Sequence, residues 1–298
     1  MLDDLPHLHR GKVRDLYAVG DDRLLLVASD RLSAFDVVMA EPIPDKGRVL
    51  TAMTDFWCHE LAHIAESAML SCDPREIERD VPGFGAERPL WGRTTLSRRA
   101  AMVPLECVVR GRLAGRAYEE YAATGTIHTM PAPGGLTLTD ELPEPMFTPS
   151  TKAAVGHDVN ISFDDACDLV GVFLAHRIRE VCLALFEAAA ARVATAGLVL
   201  ADTKFELGLI DGELVVCDEV VTPDSSRLWP LDAVVRGESP PSFDKQPFRD
   251  WLATLPWDRT PPPPRVPDDV VAATSSRYVA AYERVTGRSL ADWYGAAP

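Results

Sequence analysis

One hairpin carries the densest chemistry in the chain. Residues 198–208 read Leu-Val-Leu-Ala-Asp202-Thr-Lys204-Phe-Glu206-Leu-Gly208, and Asp218-Glu219 follows a short apolar run later. Strand period two puts Asp202, Lys204 and Glu206 on one face, and Phe205, Leu207 and Leu209 on the other, toward a core. Three alternating charges could also form a plain solvated face, and register separates the two explanations. A two-residue Asp211-Gly212 turn pairs Phe205 with Asp218 and points Asp218 into the core. A three-residue Asp211-Gly212-Glu213 turn instead sets Glu206 opposite Asp218. Two facing carboxylates suit Mg²⁺, which takes one or two carboxylates plus phosphate oxygens. A three-residue turn or a bulge is therefore expected, and Asp218 on the apolar face would remove the metal assignment.

Four further segments have usable residue types. Gly11-Lys12-Val-Arg14 near a tight turn could hold a polyphosphate through backbone N–H groups and charge, although a surface Gly-Lys turn has the same composition. Arg110-Gly-Arg112-Leu-Ala-Gly115-Arg116 ends a strand, allows close backbone approach and begins a helix. Helix N-termini accept phosphates, and three arginines supply charge; a basic loop in an acidic protein is the alternative. Thr148-Pro-Ser-Thr-Lys152 and Gly156-His157-Asp158-Val-Asn160-Ile-Ser162 crowd short polar groups before a long helix, where caps and turns account for some of them. Thr222-Pro-Asp224-Ser-Ser-Arg227-Leu-Trp229 is a polar loop leaving the second hairpin strand.

The elements that must position these residues alternate strand pairs with long helices. Residues 10–40 read as strands joined by tight turns, with the apolar run Leu24–Ala28 among them. Leu50, Met53, Phe56, Trp57 and Leu61 recur at helical spacing and predict a helix over 50–67. Residues 73–93, rich in Pro, Gly and charge, read as loop with short strands. A buried strand is expected at 105–110 and a short helix near 117–123. The prolines and glycines of 131–151 predict a long loop, and one long helix is expected over 163–195, N-capped by Ser162 with Asp165 and stopped by Gly197. After the hairpin, Pro261–Pro264 is linker-like, and a last amphipathic helix spans 269–285 and stops at Gly287. This mixture is α+β.

Composition sets the outer limits. The chain has 298 residues with 30 Lys or Arg against 45 Asp or Glu, a net charge of -15, which argues against a general nucleic-acid binder. A small anionic substrate would need only a local basic pocket. At 47% hydrophobic residues the chain can build an ordinary core, which excludes global disorder. No apolar run reaches the ~18 residues of a membrane span. The opening residues lack a basic stretch followed by an apolar one, so no targeting segment is expected. Six scattered cysteines without a CxxC pair predict reduced thiols and a cytoplasmic protein.

In order, the blocks GKVRDLY, SDRLSAFDVVMAEPIPDKG, VPLECVVRGRLAG, TPSTKA, ADTKFELG, DEVVTPDSSRLWP and DKQPFRDWL resemble SAICAR synthase, in the longer branch with a C-terminal extension. The resemblance implies a two-lobed, ATP-grasp-like α+β fold with antiparallel sheets and a C-terminal helical extension. Its divisions would be an N-terminal lobe over 1–104, a central domain over 105–235 and a mostly helical extension over 236–298. It implies an ATP- and Mg²⁺-dependent ligase of purine biosynthesis that joins L-aspartate to carboxyaminoimidazole ribonucleotide through an acyl phosphate. Carried over by motif, Lys12 and Arg14 would contact ATP phosphates, Arg98 would be a second cation over the nucleotide, and Glu106 would read the adenine amino group, helped by the backbone near Ala100 and packing by Met102. Glu206 and Asp218 would hold Mg²⁺. Arg110, Lys204 and Arg227 would bind the ribonucleotide phosphate, Asp202 the imidazole amino group and Asp224 a ribose hydroxyl. Of these, Lys204, Asp202 and Arg110 would lie nearest the reacting groups. Ser33, Asp36, Lys152, Asp158 and Asn160 would serve the aspartate or carboxylate. A monomer is expected rather than a dimer.

The chain departs from the family's pattern at three places. Arg116 replaces the serine usual after the glycine of the phosphate pocket, Val159 replaces a carboxylate, and Pro247 interrupts a block normally free of proline. These departures raise an alternative, a paralogous amide ligase for a related imidazole or nucleotide in a specialised pathway. A small-molecule kinase sharing the ATP half is a second alternative.

Overall fold

The computed structural model describes residues 2–152 and 158–295. Its first layer is an antiparallel sheet built from β1 (His7–Arg10), β2 (Arg14–Val19) and β3 (Arg23–Ala28). A two-strand ribbon, β4 (Ser33–Ala34) and β5 (Val37–Val38), leads to helix α1 (Lys46–Glu60). Edge strand β6 (Met69–Ser71), helix α2 (Pro74–Asp80) and β7 (Thr94–Arg98) complete this layer, in the order β1-β2-β3-β7-β6. Leu25, Val27, Leu96, Ile77 and Phe84 form its own small core.

The second layer is centred on one strand. In chain order it comprises β8 (Ala101–Met102), β9 (Leu105–Arg112), α3 (Gly115–Thr124), the hairpin β10 (Thr126–Ile127) and β11 (Met130–Pro131), and β12 (Glu141–Thr151). Helices α4 (Phe163–Val170) and α5 (Val172–Thr195) follow, then β13 (Leu198–Ile210), β14 (Glu213–Cys217) and β15 (Ser226–Pro230). The sheet order is β12-β9-β13-β14. β13 pairs with β9 and β15 over its first half, and with β14 and β8 over its second. It therefore carries Asp202, Lys204 and Glu206 where β9, β15 and β14 meet it. The main core joins α1, β9, α5 and β13 to the last helix through Trp57, Phe186, Phe205 and Tyr278. Helices α6 (Gln246–Ala253) and α7 (Asp268–Thr286) close the fold.

Several sequence expectations are corrected. The hairpin turn is two residues long, with Ile210 opposite Glu213 and Glu206 opposite Cys217, so the three-residue turn does not form. Asp218 nevertheless avoids the core. The ladder ends at Cys217, and Asp218 adopts a left-handed backbone (φ 54°) that turns its side chain toward Arg14. Residues 141–151 are a strand despite three prolines, because β12 is an edge strand and its register breaks between Glu141 and Met146, around Pro143 and Pro145. The long helix breaks at Gly171 (φ 88°, ψ 142°) into α4 and α5, with the Ser162–Asp165 capping box formed as expected. Residues 74–80 form a helix capped by Asp73 and opened by Pro74, where composition predicts loop and strands. Helix α1 starts and ends earlier than its apolar pattern suggests, because its first turn buries Lys46 and Arg48, which hydrophobic periodicity does not count. Pro247 lies in the first turn of α6, where no N–H is needed, so that departure is structurally neutral.

Candidate active site

The floor of the site follows from strand register. Arg110 on β9 and Arg227 on β15 both stand opposite Asp202 of β13, one on each side. Both guanidiniums donate to the same carboxylate oxygen, Asp202 Oδ2, at 2.7 Å and 2.5 Å. Burial would make two adjacent arginines costly, and the shared carboxylate offsets that cost. Gly115 opens helix α3 directly against Arg227. A Cβ there would lie 2.2 Å from its Nη2, so the absence of a side chain gives the guanidinium its place.

Arg110, Asp202 and Arg227 line a cleft of about 190 Å³ with Lys204, Asp224, Asp244, Lys245 and Arg249. The cleft holds five cations and three carboxylates in a chain of net charge -15, the local basic pocket that an anionic substrate needs. Asp224 is buried beneath it. Lys46 Nζ at 2.8 Å, Lys245 Nζ at 3.0 Å and the Tyr278 hydroxyl, donating at 2.6 Å, all converge on its carboxylate. Burial alone would raise its pKa, but Lys245 and Lys46 hold it well below the usual carboxylate range. Burial pushes the Lys46 ammonium down from its ordinary value. Asp244 is buried with Oδ2 unpartnered, and burial raises its pKa against the pull of Arg227.

A second run of charge follows β13 outward. Lys204 Nζ lies 2.6 Å from Glu106 and 3.0 Å from Glu206, and Lys152 also contacts Glu206. Burial opposes the charge on Lys204, but the two glutamates outweigh it and keep the ammonium above its usual pKa. Glu206 is likewise held below the usual range despite burial, by Lys204 and Lys152, whereas burial raises Glu106. The charged face of β13 is thus mostly buried and fully paired, not a plain solvated one.

The glycine turn meets this run from the other layer. Arg14 contacts Asp218 and lies 3.4 Å from Glu219, while Lys12 contacts Asp36. Burial disfavours the Arg14 charge, but Asp218 and Glu219 raise its pKa overall. The carbonyls of Gly11 and Lys12 accept from Arg31, at 3.1 Å and 3.2 Å, and that of Val13 accepts from Ser29. The loop's oxygens are thereby drawn inward.

The carboxylates available to magnesium are Glu206, ion-paired with Lys204 and Lys152, and the more exposed Asp218, ion-paired with Arg14. Among the described residues no group of three or more acidic, His or Cys side chains could hold a metal alone. Glu206 and Asp218 would supply two ligands and phosphate oxygens the rest, as Mg²⁺ commonly requires.

The remaining candidates are placed less centrally. Arg98 donates to Glu66 and to the carbonyl of Ser67. Ala100 packs beside Val215 and Cys217, and exposed Met102 pairs with Gly208. Ser33 lies on the β4–β5 ribbon, and Asp158 is exposed. Asn160 donates to Glu120 and accepts from Ser150. Arg116 is exposed on α3 and does not line the cleft. Gly156 and His157 fall outside the described residues. Sequence reasoning does not single out Lys46, Lys245, Arg249 or Tyr278. The first three stand inside blocks that carry the family resemblance, so their segments are marked but their part is not. His128 carries no sequence signal.

Residues 7–264 match the family model described as SAICAR synthetase. The phosphoribosylaminoimidazole-succinocarboxamide synthase of Thioalkalivibrio sulfidiphilus is 50% identical over 290 residues, 97% of each chain. The protein of that name from Saccharopolyspora erythraea is 50% identical over 299 residues, covering 98% of this chain and 97% of its own. Among solved structures, the SAICAR synthase of Saccharomyces cerevisiae complexed with SAICAR superposes with a TM-score of 0.89 at 39% identity over 97% of both chains.

Proposed function

The chain belongs to the SAICAR synthetase family, and from that premise we propose how its cleft works. The enzyme is an ATP-dependent ligase that joins L-aspartate to the carboxylate of carboxyaminoimidazole ribonucleotide, giving the succinocarboxamide, ADP and phosphate. The whole-length match at half identity to enzymes of this name is the observation that carries the reaction. It leaves the paralogue and kinase alternatives without comparable support.

The five cations of the cleft receive the ribonucleotide, with Arg110 and Arg227 on its phosphate. The turn at Lys12 and Arg14 receives the ATP phosphates. Bound at Glu206 and Asp218, Mg²⁺ would neutralise charge on the nucleotide phosphates. The substrate carboxylate attacks the γ-phosphorus, and ADP departs. The aspartate amine then attacks the acyl carbon, the C–O bond breaks, phosphate departs, and the amine loses a proton. Lys204 and Lys152 lie beside Glu206, where they steady the carboxylate and the charge that develops. Positioning and charge neutralisation supply the rate. Asp224 acts from below by fixing Lys245, in place of the ribose contact expected from its motif. Met102 and Ala100 frame the adenine at the rim of β8.

We keep the expectation that the enzyme acts as a monomer. No helix among the described residues is long and apolar enough to cross a membrane, and we place the enzyme in the cytoplasm. We divide the chain near 104 and 235, with β8 reaching from the first division to pair with β13 of the second. The test is product mass after incubation with ATP, Mg²⁺, L-aspartate and the carboxyaminoimidazole ribonucleotide. Succinocarboxamide with equimolar ADP is expected; ADP without it would replace the ligase with a kinase.

A further inference from the structure

Arg110 is held on three sides. A guanidinium has five N–H donors. Nε donates to Thr148 Oγ1 (3.1 Å), Nη1 to Asp202 (2.7 Å) and Nη2 to His128 Nε2 (3.3 Å), which leaves two N–H groups for a ligand. His128 Nδ1 lies 3.0 Å from the carbonyl oxygen of Pro149, which can only accept. The proton is therefore assigned to Nδ1, and Nε2 offers its lone pair to Arg110. Burial and the nearby Arg110 push His128 down to about 4, so the imidazole stays neutral and able to accept.

The backbone is bent to achieve this. His128 and Thr129 are both left-handed (φ 48° and 62°) and form the two-residue turn between β10 and β11. Such turns favour Asn and Gly, and hairpin tips ordinarily face water. Here half of the tip turns inward: His128 is only 2% exposed, while Thr129 faces solvent. Glu120 on α3 braces it by accepting from Thr129 N at 2.8 Å and Thr126 Oγ1 at 3.1 Å. Strained backbone persists where surrounding structure enforces it, and here the strain delivers one acceptor to one arginine.

We propose that His128 is a positioning residue for the ligase reaction, locking Arg110 so that its two free N–H groups face the phosphate of the ribonucleotide. The inference rests on the assignment of the cleft to that substrate. The test compares His128→Gly, His128→Asn and Arg110→Lys by thermal melting and by titration with the ribonucleotide and with ATP. Glycine suits the left-handed backbone but offers no acceptor, so His128→Gly should stay folded, melting somewhat lower for its lost buried ring and bond to Pro149, while its ribonucleotide affinity falls about tenfold or more, the loss of one charge-assisted hydrogen bond. Its ATP affinity should stay within about twofold. Asparagine tolerates the same backbone and carries a carbonyl, so His128→Asn should recover much of the loss. Unchanged ribonucleotide affinity in His128→Gly would overturn the inference, as would a parallel fall for ATP. Unchanged ribonucleotide affinity in Arg110→Lys would instead remove the cleft assignment beneath it.

Discussion

Replacing Gly115 by alanine separates what the backbone of helix α3 needs from what the cleft needs. Gly115 has φ 54°, and an alanine there costs about 1–2 kcal/mol for left-handed backbone alone. Its Cβ would lie 2.2 Å from Arg227 Nη2 and 2.8 Å from Cζ, where ordinary contact begins at 3.4 Å. The guanidinium must therefore retreat by roughly 1 Å, far enough to break its bond to Asp202, a further ~1.5–3 kcal/mol. The sum, about 2.5–5 kcal/mol, should lower the melting temperature by roughly 5–10 °C. Ribonucleotide affinity should fall about tenfold or more, while ATP binding at the distant turn stays within about twofold. Gly125, at the other end of the same helix, is the matched control. It has φ 75° with nothing within 4 Å of where a Cβ would stand, so Gly125→Ala should meet the backbone cost alone and leave affinity unchanged. Calorimetric titration of both variants with the ribonucleotide checks this. Equal affinities for the two alanine variants would refute the link between Gly115, Arg227 and the phosphate.

Glu206→Gln should lower turnover by about a thousandfold or more at saturating Mg²⁺, measured as ADP release, and retained turnover would reject the metal assignment. Asp224→Asn should cost about 3–5 kcal/mol in urea denaturation, because it leaves two buried ammoniums without their carboxylate, whereas Lys46→Met, which removes one of those charges, should cost far less. Since Asp224 is held below the usual carboxylate range, its contribution is complete above about pH 4 and declines as pH falls toward the depressed value. The deficit of Asp224→Asn should accordingly shrink in melts below pH 4, and a constant deficit would contradict the assignment. Burial pushes the Cys58 thiol up to about 11 and the Cys217 thiol up to about 12. Both should resist iodoacetamide at neutral pH in the folded protein, as peptide mass mapping would reveal; rapid labelling of either would contradict its raised pKa.

Much of the site was legible because strand alternation is local. The facing of Asp202, Lys204 and Glu206 needed only the period of a strand, and the fold class only the alternation of strand pairs with helices. What lay beyond reach was set by partners distant in sequence. Asp218 escapes the core through a left-handed backbone that no turn-length argument anticipates. The prolines of β12 spell a loop locally, and only its edge position in the sheet permits the strand. Lys46 and Lys245 read as surface lysines until a carboxylate is placed between them. Arg116, which the resemblance sets at the phosphate pocket, is exposed on α3 and does not line the cleft.

The floor of the cleft also sets a timetable for synthesis. Arg48 donates to the carbonyl of Tyr294 across 246 residues, two positions from Lys46, whose carboxylate partner is itself bound by Tyr278. At ribosomal speeds of about 5–20 residues per second, the charged first turn of α1 waits roughly 10–50 s for those partners. The strands of the first layer are complete long before, so a nascent chain can hold a formed phosphate turn above an unfinished floor. The binding cleft is then among the last parts of the molecule to exist, and translational stalling in α7 would release a chain that is mostly folded yet has nowhere to seat its ribonucleotide.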